Sequence, residues 1–191
     1  MNDVYVEGKT FEKIDFTASP LAKAEYEKCV FTNCNFSECD LSKMNFSNCE
    51  FRNSNLSMAK LEKTTLREVK FKDCKQLGML FEKCNEFLFS IELENCILNH
   101  SSFFKLNLKK MKFTTCTLQE VDFSEADLTS AIFSNCDLRG ATFEKTILDR
   151  ADLRTAYQYS LDPEANSIKK AKFSLEGIVG LLSKYDIEIE N

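Results

Sequence analysis

Nine cysteines and one histidine are the side chains of this chain best suited to nucleophilic attack, metal ligation or proton transfer. A thiol beside an imidazole would make a nucleophile, and CxxC pairs would make a zinc site. The cysteines, at 29, 34, 39, 49, 74, 84, 96, 116 and 136, fit neither pattern. No two form a CxxC pair, and His100 has no partner histidine. Each cysteine instead lies two residues before a centre of a five-residue repeat whose centres are nearly all large and apolar (Gln76, after Cys74, is polar, and Cys84 counts in the register that precedes a slip). That place takes mostly small or modest side chains, and Cys is a small hydrophobe that buries well. Cys74, Cys96, Cys116 and Cys136 are expected to stack as one ladder. His100 is expected on the outside, two residues after its apolar centre. The Asp and Glu residues fall on outward positions, and five glycines cannot assemble a phosphate-cradling loop. No catalytic, cofactor-binding or metal-ligating residue is assigned, and no enzyme is expected.

What positions these residues is the repeat itself. From Ile14 a large apolar residue recurs every fifth place, a period that fits neither a helix nor a strand. The register runs from Phe16 through Phe81, slips by two residues within 82–87, and resumes from Leu88 to Leu153. Centres twenty apart resemble one another. One column reads Phe11, Phe31, Phe51, Phe71, Leu93, Phe113, Phe133, Leu153 and Phe173, with the slip allowed for. A second runs Phe16, Phe36, Leu56, Gln76, Leu98, Leu118, Leu138, and a third Leu21, Leu41, Leu61, Phe81, Phe103, Phe123, Phe143. The fourth, from Tyr26 and Phe46 through Leu66, Leu88, Leu108, Leu128 and Leu148 to Ile168, turns aliphatic. Sorting by column predicts four sides per coil, and an all-β solenoid of about seven to eight coils stacked at ~4.8 Å.

These residues resemble the pentapeptide-repeat family, with its A(D/N)LXX pattern. The nearest matches are CDLSK at 39–43, ADLTS at 126–130, CDLRG at 136–140 and ADLRT at 151–155. The resemblance covers residues 4–173 and implies a right-handed quadrilateral β-helix. An array followed by a helical tail is similar, more weakly, to the Qnr and MfpA quinolone-resistance proteins. That likeness implies a homodimer joined through C-terminal ends and a type II topoisomerase, DNA gyrase, as partner. The long projecting loops of Qnr-type members have no counterpart here beyond the two-residue slip.

Residues 1–173 are read as the β-helix, with an irregular last coil over 154–173, and 174–191 as a helix-and-strand cap. Ser174 can cap a helix in which Ile178, Leu181, Leu182 and Tyr185 fall at i, i+3, i+4 and i+7. DIEIE, at 186–190, alternates as a short strand. The tail can plug the last coil, join two copies through Val179, Leu182, Ile187 and Ile189, or do both. Leu80 and Phe87 flank the slip at places otherwise polar, so they form either a contact surface or a locally packed repair.

Composition narrows the partners. A net charge of −5, from 30 acidic against 25 basic residues, argues against direct nucleic-acid binding. No apolar run reaches the ~20 residues of a membrane span, so the expectation is a cytoplasmic protein with reduced thiols. The function expected is protein–protein binding, to a topoisomerase in quinolone protection or, alternatively, as a general scaffold for an unrelated partner.

Overall fold

The computed structural model describes residues 4–185 and 187–189. Strands of three or four residues alternate with tight corners: β1 (Tyr5–Glu7), β2 (Thr10–Glu12), β3 (Glu25–Glu27), β4 (Val30–Thr32), β5 (Asn45–Ser47), β6 (Glu50–Arg52), β7 (Thr65–Arg67), β8 (Val69–Lys72), β9 (Ile91–Glu94), β10 (Lys112–Thr114) and β11 (Ile132–Ser134). They pair in parallel in two sheets, β1-β3-β5-β7 and β2-β4-β6-β8-β9-β10-β11. The other two sides are laddered by single bridges, such as Asn35 to Asn55 and Ser102 to Asp122. Parallel strands in one sheet are joined by right-handed crossovers, and the result is the β-helix the columns predict.

Phe11 pairs with Phe31, and Phe31 with Phe51, at the expected spacing of twenty; across the slip Phe71 pairs with Leu93. The seven-stranded sheet makes six turns, fewer than the seven to eight expected. Its column continues past β11 only through the bridges Ile132–Asp152 and Asp152–Lys172.

Centre side chains point inward and stack on their equivalents. The Phe11 and Phe31 rings lie 4.8 Å apart and nearly parallel, as do Phe113 and Phe133. Neighbouring columns meet edge to face, as Phe31 does with Phe36 at 5.6 Å. Both arrangements suit the ring quadrupole.

The small residues two before each centre have a second job that size alone does not reveal. Where they are Cys, Ser or Thr, most donate to a main-chain carbonyl one coil away: Cys74 Sγ to Phe51, Ser54 Oγ to Phe31, Thr64 Oγ1 to Leu41, Thr146 Oγ1 to Phe123. Cys, Ser and Thr interchange there because all are small donors. The predicted ladder forms, with Cys74, Cys96, Cys116 and Cys136 all buried. Hydrogen bonding to Cys74 and burial push the Cys96 thiol up, and Cys116 and burial do the same to Cys136. Cys84 is pushed up to about 12, chiefly by burial and also by the charge of Glu82. Such thiols are inert fillers rather than nucleophiles.

Spacing by twenty still holds where Asn85 N–H donates to the Thr64 carbonyl; spacing by twenty-two is in force where Ile91 pairs with Val69. The two extra residues therefore fall within 86–89, overlapping the expected 82–87 only in part. The expected centre Leu88 is half exposed, with φ of +66°. Phe89 packs inward instead, edge-on to Phe81 at 6.4 Å. The larger ring fills the corner better, and the slip leaves Leu88 outside. The four-stranded sheet stops at β7 because its next rung is this slip.

Candidate functional site

Two regions break the repeat, and both carry exposed apolar side chains. The first is the C-terminal cap. After Leu153 the chain keeps its columns loosely: Ser167 bridges Ile147, Lys172 bridges Asp152, and Ile168 and Phe173 are partly buried. The turn at Asp162 is tied down by buried Asn166, whose side-chain amide donates to the carbonyls of Phe143 and Asp162.

The expected helix is not α-helical. It is two 3-10 segments, Gly177–Leu181 and Ser183–Tyr185. Ser174 Oγ does accept from Gly177 N–H at 3.0 Å, as a cap would. Packing against Tyr159 explains the rest. A methyl group at Gly177 would collide with the Tyr159 hydroxyl, and one at Gly180 with the Tyr159 carbonyl. Two glycines weaken an α-helix by roughly 1 kcal/mol each. The Gly180 carbonyl is also drawn outward to accept from Leu161 N–H at 3.0 Å.

In 3-10 geometry residues three apart eclipse, so the i, i+3, i+4, i+7 set no longer shares one face. Leu181 alone of that set is buried; Leu182 is half-buried, and Ile178 and Tyr185 are exposed. Val179, Ile187 and Ile189 are exposed as well. Ile187–Ile189 form no strand, and the rest of the expected 186–190 strand lies outside the described residues. Val179, Leu182, Ile187 and Ile189 meet with Gln158 and Tyr159 around a groove of about 440 Å³. Lys184 clamps the cap to the last coil, with Nζ at 2.7 Å from both Asp162 Oδ1 and Glu164 Oε2. The lysine is held above its usual range by those two hydrogen bonds, and they hold both carboxyls below theirs.

The second region is the slip. Phe87 is 81% exposed and Leu80 45%. Leu80 bridges Ser102 on the side before the corner at Cys84, and Leu88, next to Phe87 in the chain, sits by Thr65 and Arg67 on the side after it. Where the side after the slip resumes, Phe89, Ile91, Leu93, Leu108 and Met111 border a shallow cleft of about 410 Å³.

Residues with chemical capability are scattered. His100 is exposed, with Nδ1 3.1 Å from Glu120 Oε2, and no thiol lies beside it. Among the described residues no three His, Cys, Asp or Glu side chains converge to hold a metal ion, and no helix is long and apolar enough to cross a membrane.

Comparison with known proteins finds a repeat of the same period. A family model described as pentapeptide repeats (8 copies) matches residues 29–73, and one described as pentapeptide repeat region matches residues 79–153. No curated protein sequence matches the chain. Among solved structures the fold is similar to a trypsin-treated form of QnrB1, a plasmid-mediated fluoroquinolone resistance protein. That match has a TM-score of 0.54 at 22% identity and covers 98% of this chain and 92% of the other. It is also similar to HetL from the cyanobacterium Nostoc, a pentapeptide repeat protein involved in heterocyst differentiation regulation. Here the TM-score is 0.59 at 19% identity, over 91% of this chain and 88% of HetL. At such identities the likeness is one of fold, and with the two repeat matches spanning most of the coils, this chain belongs to the pentapeptide-repeat family.

Proposed function

We propose that this protein is a non-enzymatic rod that works by binding other proteins, in the cytoplasm, as a dimer joined through its C-terminal cap. The observation that carries this reading is the apolar groove at Val179, Leu182, Ile187 and Ile189, left open at the one end of the rod that is otherwise tightly clamped. Apolar surface gathered at one end marks a contact site. A type II topoisomerase is the partner to test first. The fold shared with a fluoroquinolone resistance protein supports that choice, and quinolone protection is the activity it suggests.

A general scaffold for another partner is the second reading, favoured by the charge pattern. Along the seven-stranded sheet Glu50, Lys70, Glu92 and Lys112 alternate in sign, with Lys70 paired to Glu92 at 3.2 Å and Lys72 to Glu94 at 2.8 Å. Such a face is a poor imitation of the uniform charge of duplex DNA.

Purified protein titrated into a gyrase supercoiling reaction, with and without a fluoroquinolone, separates the two. Rescue from the drug, or inhibition without it, supports the topoisomerase reading. No effect in either arm with the host's own gyrase refutes it and leaves the scaffold.

A further inference from the structure

One corner of the rod is a line of lysines. Two residues after each centre of the third column stand Lys23, Lys43, Lys63, Lys83, Lys105, Glu125 and Lys145, all exposed. Lys43, Lys63 and Lys83 occupy successive coils, and Lys63 N–H donates directly to the Lys83 carbonyl at 2.8 Å. Lys105 follows on the next coil, held in line by the stacking of Phe81 on Phe103 at 4.6 Å. The lysines thus recur at the coil spacing of ~4.8 Å.

The backbone does not ask for lysine here. Lys43, Lys63, Lys105 and Lys145 have φ between 52° and 61°, the left-handed region that favours Asn, Asp and Gly. The matching corner of the first column mostly takes what the backbone prefers, with Asn33, Asn53, Asp73, Asn95 and Asn135 against Lys13 and Thr115. Nor is the charge cancelled within the chain. Lys23 is paired with Asp40 and Lys105 with Glu125, but Lys43, Lys63 and Lys83 make no ion pair among the described residues. The neighbouring Glu82 is turned away, with one carboxylate oxygen buried and unpartnered.

A single file of positive charge flanked by the acidic residues Glu62, Glu82 and Glu144 does not suit duplex or single-stranded nucleic acid, which needs a broad basic surface. It suits a line of carboxylates. An α-helix with acidic side chains at i, i+4, i+7 and i+11 presents one about every 5.4 Å, within a flexible lysine's reach of the coil spacing. We infer that the corner Lys43–Lys63–Lys83–Lys105 is a docking edge for the acidic face of an α-helix in a partner protein. This rests on the reading of the chain as a protein-binding rod and adds the chemistry of one partner surface.

The test is fluorescence anisotropy at low salt with the full chain and a labelled helical peptide carrying glutamates at i, i+4, i+7 and i+11. A peptide of identical composition with its glutamates spread around the helix serves as comparison, and an oligodeoxynucleotide as a third probe. Binding of the striped peptide at least fivefold tighter than of the other two, weakened by added salt, is expected. Lys43→Gln, Lys63→Gln and Lys83→Gln should each weaken it about twofold to fivefold, the triple variant tenfold or more, and Lys170→Gln, at another corner, less than twofold. All are surface changes, and unchanged circular dichroism confirms the fold. Equal binding of both peptides, tighter binding of the oligonucleotide, or indifference to the triple substitution overturns the proposal. The triple variant is also carried through the gyrase titration. A gyrase effect that persists beside absent peptide binding sinks the docking edge alone and leaves the rod's binding function standing.

Discussion

Gln76 is the one polar residue in a column of inward-pointing centres. It lies between Leu56 and Leu98 in the second column, is 0% exposed, and both polar atoms of its side chain lack a partner. Its main chain is satisfied, with N–H donating to the Ile97 carbonyl and C=O accepting from Ser101 Oγ. The cost therefore sits in the side-chain amide alone. An amide buried without hydrogen bonds costs about 1–3 kcal/mol by protein mutational measures. Leucine has nearly the same volume and matches its neighbours above and below, so Gln76→Leu removes the penalty without opening a cavity.

Stability should rise by about 1–3 kcal/mol, which for a chain of this length moves the melting temperature up by about 2–12 °C. Guanidinium titration followed by circular dichroism measures the change, and the slope should stay constant because the surface exposed on unfolding hardly alters. Gln76→Ala, which trades the same penalty for a void, should not stabilise. Gln76→Glu should destabilise by several kcal/mol, since the new group must lose either its charge or its burial. If Gln76→Leu is neutral or destabilising while Gln76→Ala is no worse, the amide has partners in solution and the reasoning fails.

Phe123→Asp replaces a fully buried ring stacked between Phe103 and Phe143 with a charge; the loss of at least about 5 kcal/mol should leave little soluble folded protein on expression. Gly180→Ala drives a methyl into the Tyr159 carbonyl and should cost about 1–3 kcal/mol, read as faster hydrogen exchange at Leu161 and through 177–185 with the coils unaffected. The clamp at Lys184 should be pH-dependent at both ends. Asp162 and Glu164 are held low, so their contribution is present above their ordinary values near 3.8 and 4.5 and is lost as pH falls through the lowered ones. Lys184 is held high, so its contribution is whole below its ordinary 10.5 and is lost as pH rises beyond it. Cap protection, meaning exchange corrected for its intrinsic pH dependence, that is flat from pH 5 to 10 and falls below ~pH 4 is expected, and a steady loss of protection through neutrality would refute the clamp. Sedimentation equilibrium should find a dimer that Leu182→Arg with Ile187→Glu converts to monomer; a wild-type monomer at high micromolar concentration would refute the cap interface.

The coils were legible because every level of the sequence agrees in them. A five-residue period, small donors and sorted columns all point to one fold, and the pairings from Phe11 to Ile132 follow it. Legibility failed where one element had to satisfy two demands. At the slip, apolar residues at 87, 88 and 89 were equal candidates for the core by type, and only corner geometry selects Phe89. In the cap, the i, i+3, i+4, i+7 pattern promised an α-helix, but contact with Tyr159 needs glycine at 177 and 180 and tightens the segment into 3-10 turns. The glycines were in the sequence, but the tyrosine they had to clear was not adjacent to them.

The lysine edge was missed for a different reason: the columns were read at the centres, where residues are buried, and not at the corners. Yet corners can be read the same way. In a repeat fold each outward position recurs in one environment, so the chain contains its own control for what the backbone prefers. Asn33, Asn53, Asp73 and Asn95 at one left-handed corner are what φ near 50° favours by itself. Lys43, Lys63 and Lys105 at another, with φ near 60° in the same left-handed region, are not the residues that region favours. Stability arguments end at the first corner. At the second they leave a line of charge that costs self-repulsion and that, at Lys43 and Lys63, has no ion pair among the described residues, which is why a partner outside the chain is the economical explanation.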